Sequence, residues 1–501
     1  MVKEITGLDY LKLTKGQRFV YKIKRFFASI PAFFKKIGIK IGLFFKNLGI
    51  GIFNWFKTLI FTFINGDWKT KVSYFIMGFG SIARGQILRG ILFFLMEAVF
   101  IVYMIMWGGY YLSKLGSLGM YYEASTTNPD GSVTYGVNSF NVLLYGVLTI
   151  FFIIALIYTW NLNIKQNRIN EQIIKEKKHV ASTKDDLRAI VDKDFHKTLL
   201  ALPTIGMTIF TVLPIFFMIL VAFTSYDKNH MPPMNLFGWV GWDNFSQLFS
   251  WSAGGNTFSM TFGQILLWTL VWAFFATFTN YFLGMLVAML INKKGIHLKK
   301  VWRTILVLSI AIPQFISLLY VREMFQPDGI INNFITKLGG HTIDFWGDPW
   351  LARITVIVIN IWVGIPYLML VTTGILMNIP QDLYESANID GATPWQQYSK
   401  ITLPYMLFVT GPYLLTSFTS NMNNFNVIYL LTGGGPSDIK LASSANGSTD
   451  LLITWLFNLA VSNSDYKLAA VIGIMVFIVV AVISLIVYNL IPSTRNEEEF
   501  Q

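Results

Sequence analysis

The chain has 501 residues, 54% hydrophobic and only 13% charged, with a mean hydropathy of +0.52, whereas soluble globular chains carry about 25% charged residues. It has no cysteine and a net charge of +12, which excludes disulfides and thiolate metal sites and leaves the redox compartment open. Several apolar runs exceed the roughly 18 residues that cross a bilayer as a helix, so the fold class is an all-α polytopic integral membrane protein, since a barrel would show short alternating segments.

Residues 1–87 form a basic N-terminal extension. Its stretch "FFASIPAFFKKIGIKIGLFFKNLGIGIFNWFKTLIFTFING" (26–66) interleaves Phe pairs with Lys35, Lys36, Lys40, Lys46 and Lys57. This pattern predicts a helix lying in the membrane interface, with membrane lipid as its partner. The alternative is an additional span through 47–65. No small-residue cleavage site follows, so no cleavable signal peptide is expected. About eight spans are then predicted: Leu88–Leu112, Phe140–Trp160, Leu199–Thr224, Gln264–Ile291, Val301–Tyr320, Leu351–Met377, Tyr405–Leu431 and Leu468–Ile491. The loop 161–198 carries both charge signs at helical spacing and reads as a solvated connector. The organisation expected is therefore the extension 1–87, two spans with their connector over 88–198, a membrane core over 199–491 and a tail over 492–501.

With the N-terminus inside, about 32 of the 39 Lys and Arg residues fall on the inner side. That asymmetry predicts both termini cytoplasmic. It also accounts for the positive net charge without a nucleic-acid partner.

Much chemical machinery is absent. There is no phosphate-cradling G-x-x-x-x-G-K-[ST] motif, and no Gly-Lys dipeptide at all. The five histidines are scattered and form no metal-ligand pattern. No cofactor, metal or catalytic residue is expected. Glu97 is the clearest charge inside a span, and it reads as facing a polar bundle interior rather than a proton path. Any energy for pumping would have to arrive from a partner.

One segment fits such a partner. "PQDLYESANIDGATPWQQYSKITLP" (380–404) lies between two spans on the predicted inner side. Gln381 or Asp382 can cap a short helix, Gly391 permits a turn, and Thr393 with Pro394 can start a second short helix. Two short helices presenting Tyr384, Ala387, Ile389 and Trp395 suit a groove on another protein. The same stretch would also serve as an ordinary loop.

The segment closely resembles the EAA loop of ATP-binding-cassette (ABC) importer permeases. Glu385, Ala387, Asp390, Gly391, Ala392, Ile401, Leu403 and Pro404 carry the likeness, and Ser386 replaces the usual second Ala. The stretches 210–227, 310–325, 360–380 and 416–436 resemble spans of MalF-type sugar permeases, so the likeness covers about 199–491. The resemblance implies a MalF/MetI-like, type I importer core. It implies a second, MalG-like permease, two ATPase subunits and an extracellular solute-binding protein as partners. Glu385, Ala387, Asp390, Gly391 and Ala392 would then couple to the ATPase. The loop 225–263 is short for a MalF-type protein, which points to a Gram-positive source.

Sugar sites need aromatic faces and neutral hydrogen-bonding groups. Ser417, Asn421, Asn424 and Phe425 lie in the predicted seventh span, with Asn421 and Asn424 on one face. They would serve equally as interhelical hydrogen-bonding glue. Trp362, Gly364 and Tyr367 lie around Pro366. By resemblance, Val363, Gly364, Tyr367, Ser417, Asn421 and Asn424 fall on positions that line the maltose site in MalF-type permeases. Ser420 stands where an aromatic is expected. The implied function is import of an oligosaccharide such as maltose or maltodextrin. An ion-coupled sugar transporter would show intramembrane acids and internal repeats, and a membrane glycosyltransferase would show paired carboxylates; neither pattern is present in the sequence.

Overall fold

A computed structural model describes residues 14–122, 125–127, 133–134, 136–250, 258–293, 295–437 and 446–490. The predicted tail, 492–501, lies outside them. The chain is built from helices α1 Lys15–Asn65, α2 Trp68–Val72, α3 Phe79–Ile82, α4 Ile87–Tyr103, α5 Gly109–Leu115, α6 Ser139–Lys175, α7 Thr183–Val191, α8 Phe195–Met207, α9 Leu213–Val221, α10 Asp243–Phe249, α11 Phe258–Asn292, α12 Lys299–Ala311, α13 Gln314–Met324, α14 Ile330–Lys337, α15 Pro349–Leu376, α16 Gln381–Ile389, α17 Pro394–Gln397, α18 Leu403–Met422, α19 Phe425–Leu431, α20 Leu452–Phe457 and α21 Tyr466–Leu490. One two-residue hairpin pairs Thr126–Thr127 with Val133–Thr134. Among the described residues eight helices are long and apolar enough to cross a membrane, or nine when α12 and α13 count as one bent span.

Two compact units result: residues 1–110 with 148–206, and residues 111–147 with 207–501. In the first, the stretch expected to lie flat as an interfacial segment is part of one 51-residue helix, α1. Its Gly38–Asn65 portion has the length and hydropathy of a span. The end of α1 packs beside α6. The Trp55 indole donates to Asn161 Oδ1 at 3.1 Å, and Tyr74 OH donates to the Leu59 carbonyl at 2.8 Å. The turn that follows is pinned by a buried guanidinium: Arg84 donates to Asp67 Oδ1 and Oδ2, Asn167 Oδ1 and Thr70 Oγ1 at 2.6–2.8 Å. A charge so buried is tolerable because it is paired and hydrogen-bonded. Glu97 accepts a hydrogen bond from the Met77 backbone N–H at 2.7 Å, so this span carboxylate caps a turn of the chain. Helix α6 continues past the apolar run to Lys175, carrying the charged connector as helix.

In the second unit α11 and α15 form the centre. Trp268, Trp272 and Ala276 pack with Val356, Ile359, Val427, Ile428 and Leu431. Tyr281 and Met285 pack with Leu368, Met406 and Leu414. Buried hydroxyls return their hydrogen bonds to their own helices, as Thr269 does to the Ile265 carbonyl and Thr372 to the Leu368 carbonyl. That satisfies a polar group that lipid could not. The predicted span Val301–Tyr320 is not one helix: α12 and α13 meet at 93°. Ile312 and Pro313 are extended there, because proline supplies no amide to continue a helix.

Candidate functional site

The bend between α12 and α13 opens a cleft of about 280 Å³ against α15, lined by Ser309, Ile312, Pro313, Gln314, Ser317, Trp362, Val363 and Tyr367. Its lining is mostly apolar, with the Trp362 and Tyr367 rings and the neutral-polar Ser309, Gln314 and Ser317, and it holds no carboxylate or amine. Tyr367 is half exposed, at 50%. Val363 and Tyr367 both line it. Ser309, Gln314 and Ser317 were not singled out from sequence. The signal was a polar residue on each flank of Pro313, at a place where transporters tend to break a span beside substrate.

Gly364 faces the other way. A Cβ there would collide with the Asn280 amide, so its absence lets α11 and α15 approach. Asn280 Nδ2 donates to the Ala276 carbonyl at 2.8 Å and toward the Asn360 carbonyl at 3.4 Å. Asn280 Oδ1 and Asn360 Nδ2 have no hydrogen-bond partner. The seam beside Gly364 therefore keeps polar capacity.

Asn421 and Asn424 do not sit on one continuous helix. Asn423 ends α18, and Asn424 caps α19, its side chain accepting from Val427 N–H at 3.4 Å. The two amides still meet: Asn424 Nδ2 donates to Asn421 Oδ1 at 3.4 Å, and Asn421 Nδ2 donates to Thr277 Oγ1 at 3.0 Å. The Trp272 indole donates to the Asn421 carbonyl at 3.1 Å. Neither Asn lines the α12/α13 cleft. Ser417 lies on α18 one turn before Asn421 and is half-buried. Phe425 stacks on Tyr429 at 4.7 Å between ring centres. Ser420 is exposed.

The 380–404 segment forms the expected turn with two differences. Pro380 occupies the N-cap of α16 without a side-chain cap, so neither Gln381 nor Asp382 has that role. The second helix is not separate. Thr393 caps α17 through a capping box with Gln396, and α17 passes through a π-helical turn, Tyr398–Thr402, into α18. Glu385, Asp390 and Gly391 are exposed, while Ala387 and Ala392 are half-buried. Ala392 N–H donates to the Ala387 carbonyl at 2.9 Å, and Gly391 takes φ +71°. Ile389 and Trp395 protrude, 86% and 71% exposed.

The family model described as binding-protein-dependent transport system inner membrane component matches residues 280–496. The maltodextrin transport system permease protein MalC of Streptococcus pneumoniae is 33% identical over 441 residues, covering 86% of this chain and 97% of its own. This chain belongs to the binding-protein-dependent transport permeases. The galactooligosaccharides permease GanP of Bacillus subtilis is 32% identical, covering 84% of this chain and 97% of its own. The maltose/maltodextrin permease MalF of Escherichia coli K12 is 36% identical over 251 residues, 49% of this chain and 48% of its own. A crystal structure of a bacterial ABC transporter that imports alginate superposes with a TM-score of 0.48 at 24% identity, over 63% of this chain and 100% of that one. The chain is thus a multi-span membrane permease of the ABC importer family.

Proposed function

We infer that this permease carries neutral oligosaccharides of the maltodextrin class across the cytoplasmic membrane, its C-terminus inside, as one half of a heterodimer with a second, MalG-like permease. Two ATP-binding-cassette subunits supply the energy through the 380–404 segment, and an extracellular binding protein delivers the sugar. The observation that carries this reading is the α12/α13 cleft. It offers Trp362 and Tyr367 faces for pyranose rings and Ser309, Gln314 and Ser317 for hydroxyls, with no carboxylate or amine that would select a charged solute. The protruding Ile389 and Trp395 support the coupling role. They flank the turn that holds Asp390, Gly391 and Ala392, just after Glu385 and Ala387 on α16, a short-helix shape that fits a partner groove. Val363, Gly364, Tyr367, Ser417, Asn421 and Asn424 are the proposed sugar-path residues.

The test is uptake by the complex reconstituted with its binding protein. Tyr367→Ala and Asn421→Leu should each lower maltodextrin uptake about tenfold, the effect of roughly 1.4 kcal/mol, with basal ATP hydrolysis retained. Unchanged uptake in both would return these residues to structural packing.

A further inference from the structure

At the docked end of α1 a small groove of about 80 Å³ opens between α1 and α6. It is lined by Trp55, Thr58, Thr62, Asn161, Lys165 and Arg168. Two parallel helices frame it, since Trp55 meets Asn161 and, just past the end of α1, Asp67 N–H meets Glu171 further along α6. The groove lies one to two turns beyond Trp160, where the apolar run of α6 gives way to polar residues. That is headgroup depth, the level at which Trp and basic side chains settle.

The charge balance of the groove is positive. Among the described residues neither Lys165 nor Arg168 forms an ion pair. The nearby carboxylates are occupied: Glu171 by Lys175 at 2.8 Å and by Asp67 N–H, and Asp67 by Arg84 at 2.6 Å. The Trp55 indole is fixed by its hydrogen bond to Asn161. Beside the groove the surface of α1 is apolar and exposed, with Phe53, Phe56 and Ile60 each more than half exposed. Paired cations beside a run of bare Phe and Ile suit the phosphate and acyl chains of an anionic phospholipid.

We propose that Lys165 and Arg168, with Trp55, hold the headgroup of an anionic phospholipid whose acyl chains lie along α1. The site is separate from the sugar path and does not depend on that reading. A free phosphate ion shares the headgroup chemistry, and the experiment separates the two sources. The full chain, purified in its complex, is titrated with phosphatidylglycerol, phosphatidylcholine or inorganic phosphate and followed by native mass spectrometry and thermal shift. Phosphatidylglycerol should bind and raise the melting temperature, phosphatidylcholine and inorganic phosphate should not, and Lys165→Gln with Arg168→Gln should weaken phosphatidylglycerol retention about tenfold or more. The Lys165→Arg, Arg168→Lys pair should retain it, which separates lost charge from lost folding. Equal retention of both lipids by the wild-type complex, equal retention of phosphatidylglycerol by the Gln pair, or an equal shift with inorganic phosphate would overturn the proposal.

Discussion

The Tyr384 hydroxyl lies 2.8 Å from the Thr402 hydroxyl. This contact ties α16, the first helix of the 380–404 segment, to the π-helical turn at the base of α18. It joins the exposed segment to the base of the helix that carries Ser417 and Asn421. Gln397 adds a second tie, donating to Asn388 Oδ1 at 2.6 Å.

Tyr384→Phe removes the hydroxyl and strands the buried Thr402 side chain. A side-chain hydrogen bond contributes about 1 kcal/mol, so sugar uptake should fall several-fold while ATP hydrolysis persists. Thr402→Ser, which keeps the hydroxyl, should stay near wild type. Equal ratios of transport to hydrolysis in all three proteins would show that the tie transmits nothing.

Gly391 occupies left-handed backbone, at φ +71°, and a Cβ placed there would meet open space. Gly391→Ala should therefore cost only the backbone strain, roughly 1–2 kcal/mol, and keep most transport. Gly391→Trp adds bulk on the exposed face of the turn and should abolish coupled uptake with the protein still in the membrane. Membrane immunoblotting beside uptake assays checks this, and normal uptake by a well-expressed Trp variant would remove the turn from the coupling surface.

Asp227 lies in the loop after α9. It accepts from Lys467 Nζ at 2.6 Å and pairs with His230 Nδ1 at 2.8 Å. Burial pushes its carboxyl up, but the Lys467 and His230 hydrogen bonds and the Lys467 charge outweigh it and hold the pKa down to about 2. A depressed folded-state pKa stabilises above the unfolded value, 3.8, and that stability is lost as pH falls toward 2. Asp227→Asn should lower the melting point at pH 7 by the equivalent of on the order of 2 kcal/mol. The deficit should be constant down to about pH 4 and shrink below it.

Asp450, just before α20, behaves in the opposite sense. Burial pushes its carboxyl up to about 6, against hydrogen bonds from Gly447 N–H, Thr454 and Asn458. The folded state then keeps a proton that the unfolded chain has lost, so stability falls as pH rises from about 3.8 to about 6 and stays lower above. Asp450→Asn should melt higher than wild type at pH 7.5, by on the order of 2 kcal/mol at most. It should show no gain below pH 4, and melting curves at the two pH values decide it.

Much of this was legible in the sequence because membrane helices announce themselves by long apolar runs. The cores of α4, α6, α11, α15 and α21 follow directly from Leu88–Leu112, Phe140–Trp160, Gln264–Ile291, Leu351–Met377 and Leu468–Ile491. The turn at Gly391 and the cap at Thr393 followed from local chemistry that needs no tertiary partner. The right-angle break at Pro313 did not, because hydropathy averages through it and a proline within a span can kink a helix or end it depending on its neighbours. For the same reason the interruption at Asn423 read as continuous helix. The docking of α1 on α6 rests on Trp55 and Asn161, 106 residues apart, and no local pattern joins such a pair.

The break at Pro313 has a consequence for the molecule as a subunit. Helix α12 has 13 residues and α13 has 11, about 20 and 17 Å at 1.5 Å per residue, so neither crosses a hydrocarbon layer of about 30 Å alone. Their facing ends leave carbonyls and amides that lipid tails cannot satisfy, and Leu308, Ile312, Phe315 and Tyr320 around them are exposed in the single chain. Such an open seam has to be covered by protein or to line a water-filled cavity. The second permease proposed above would cover it there, and the chain made alone should then be degraded faster than in its complex.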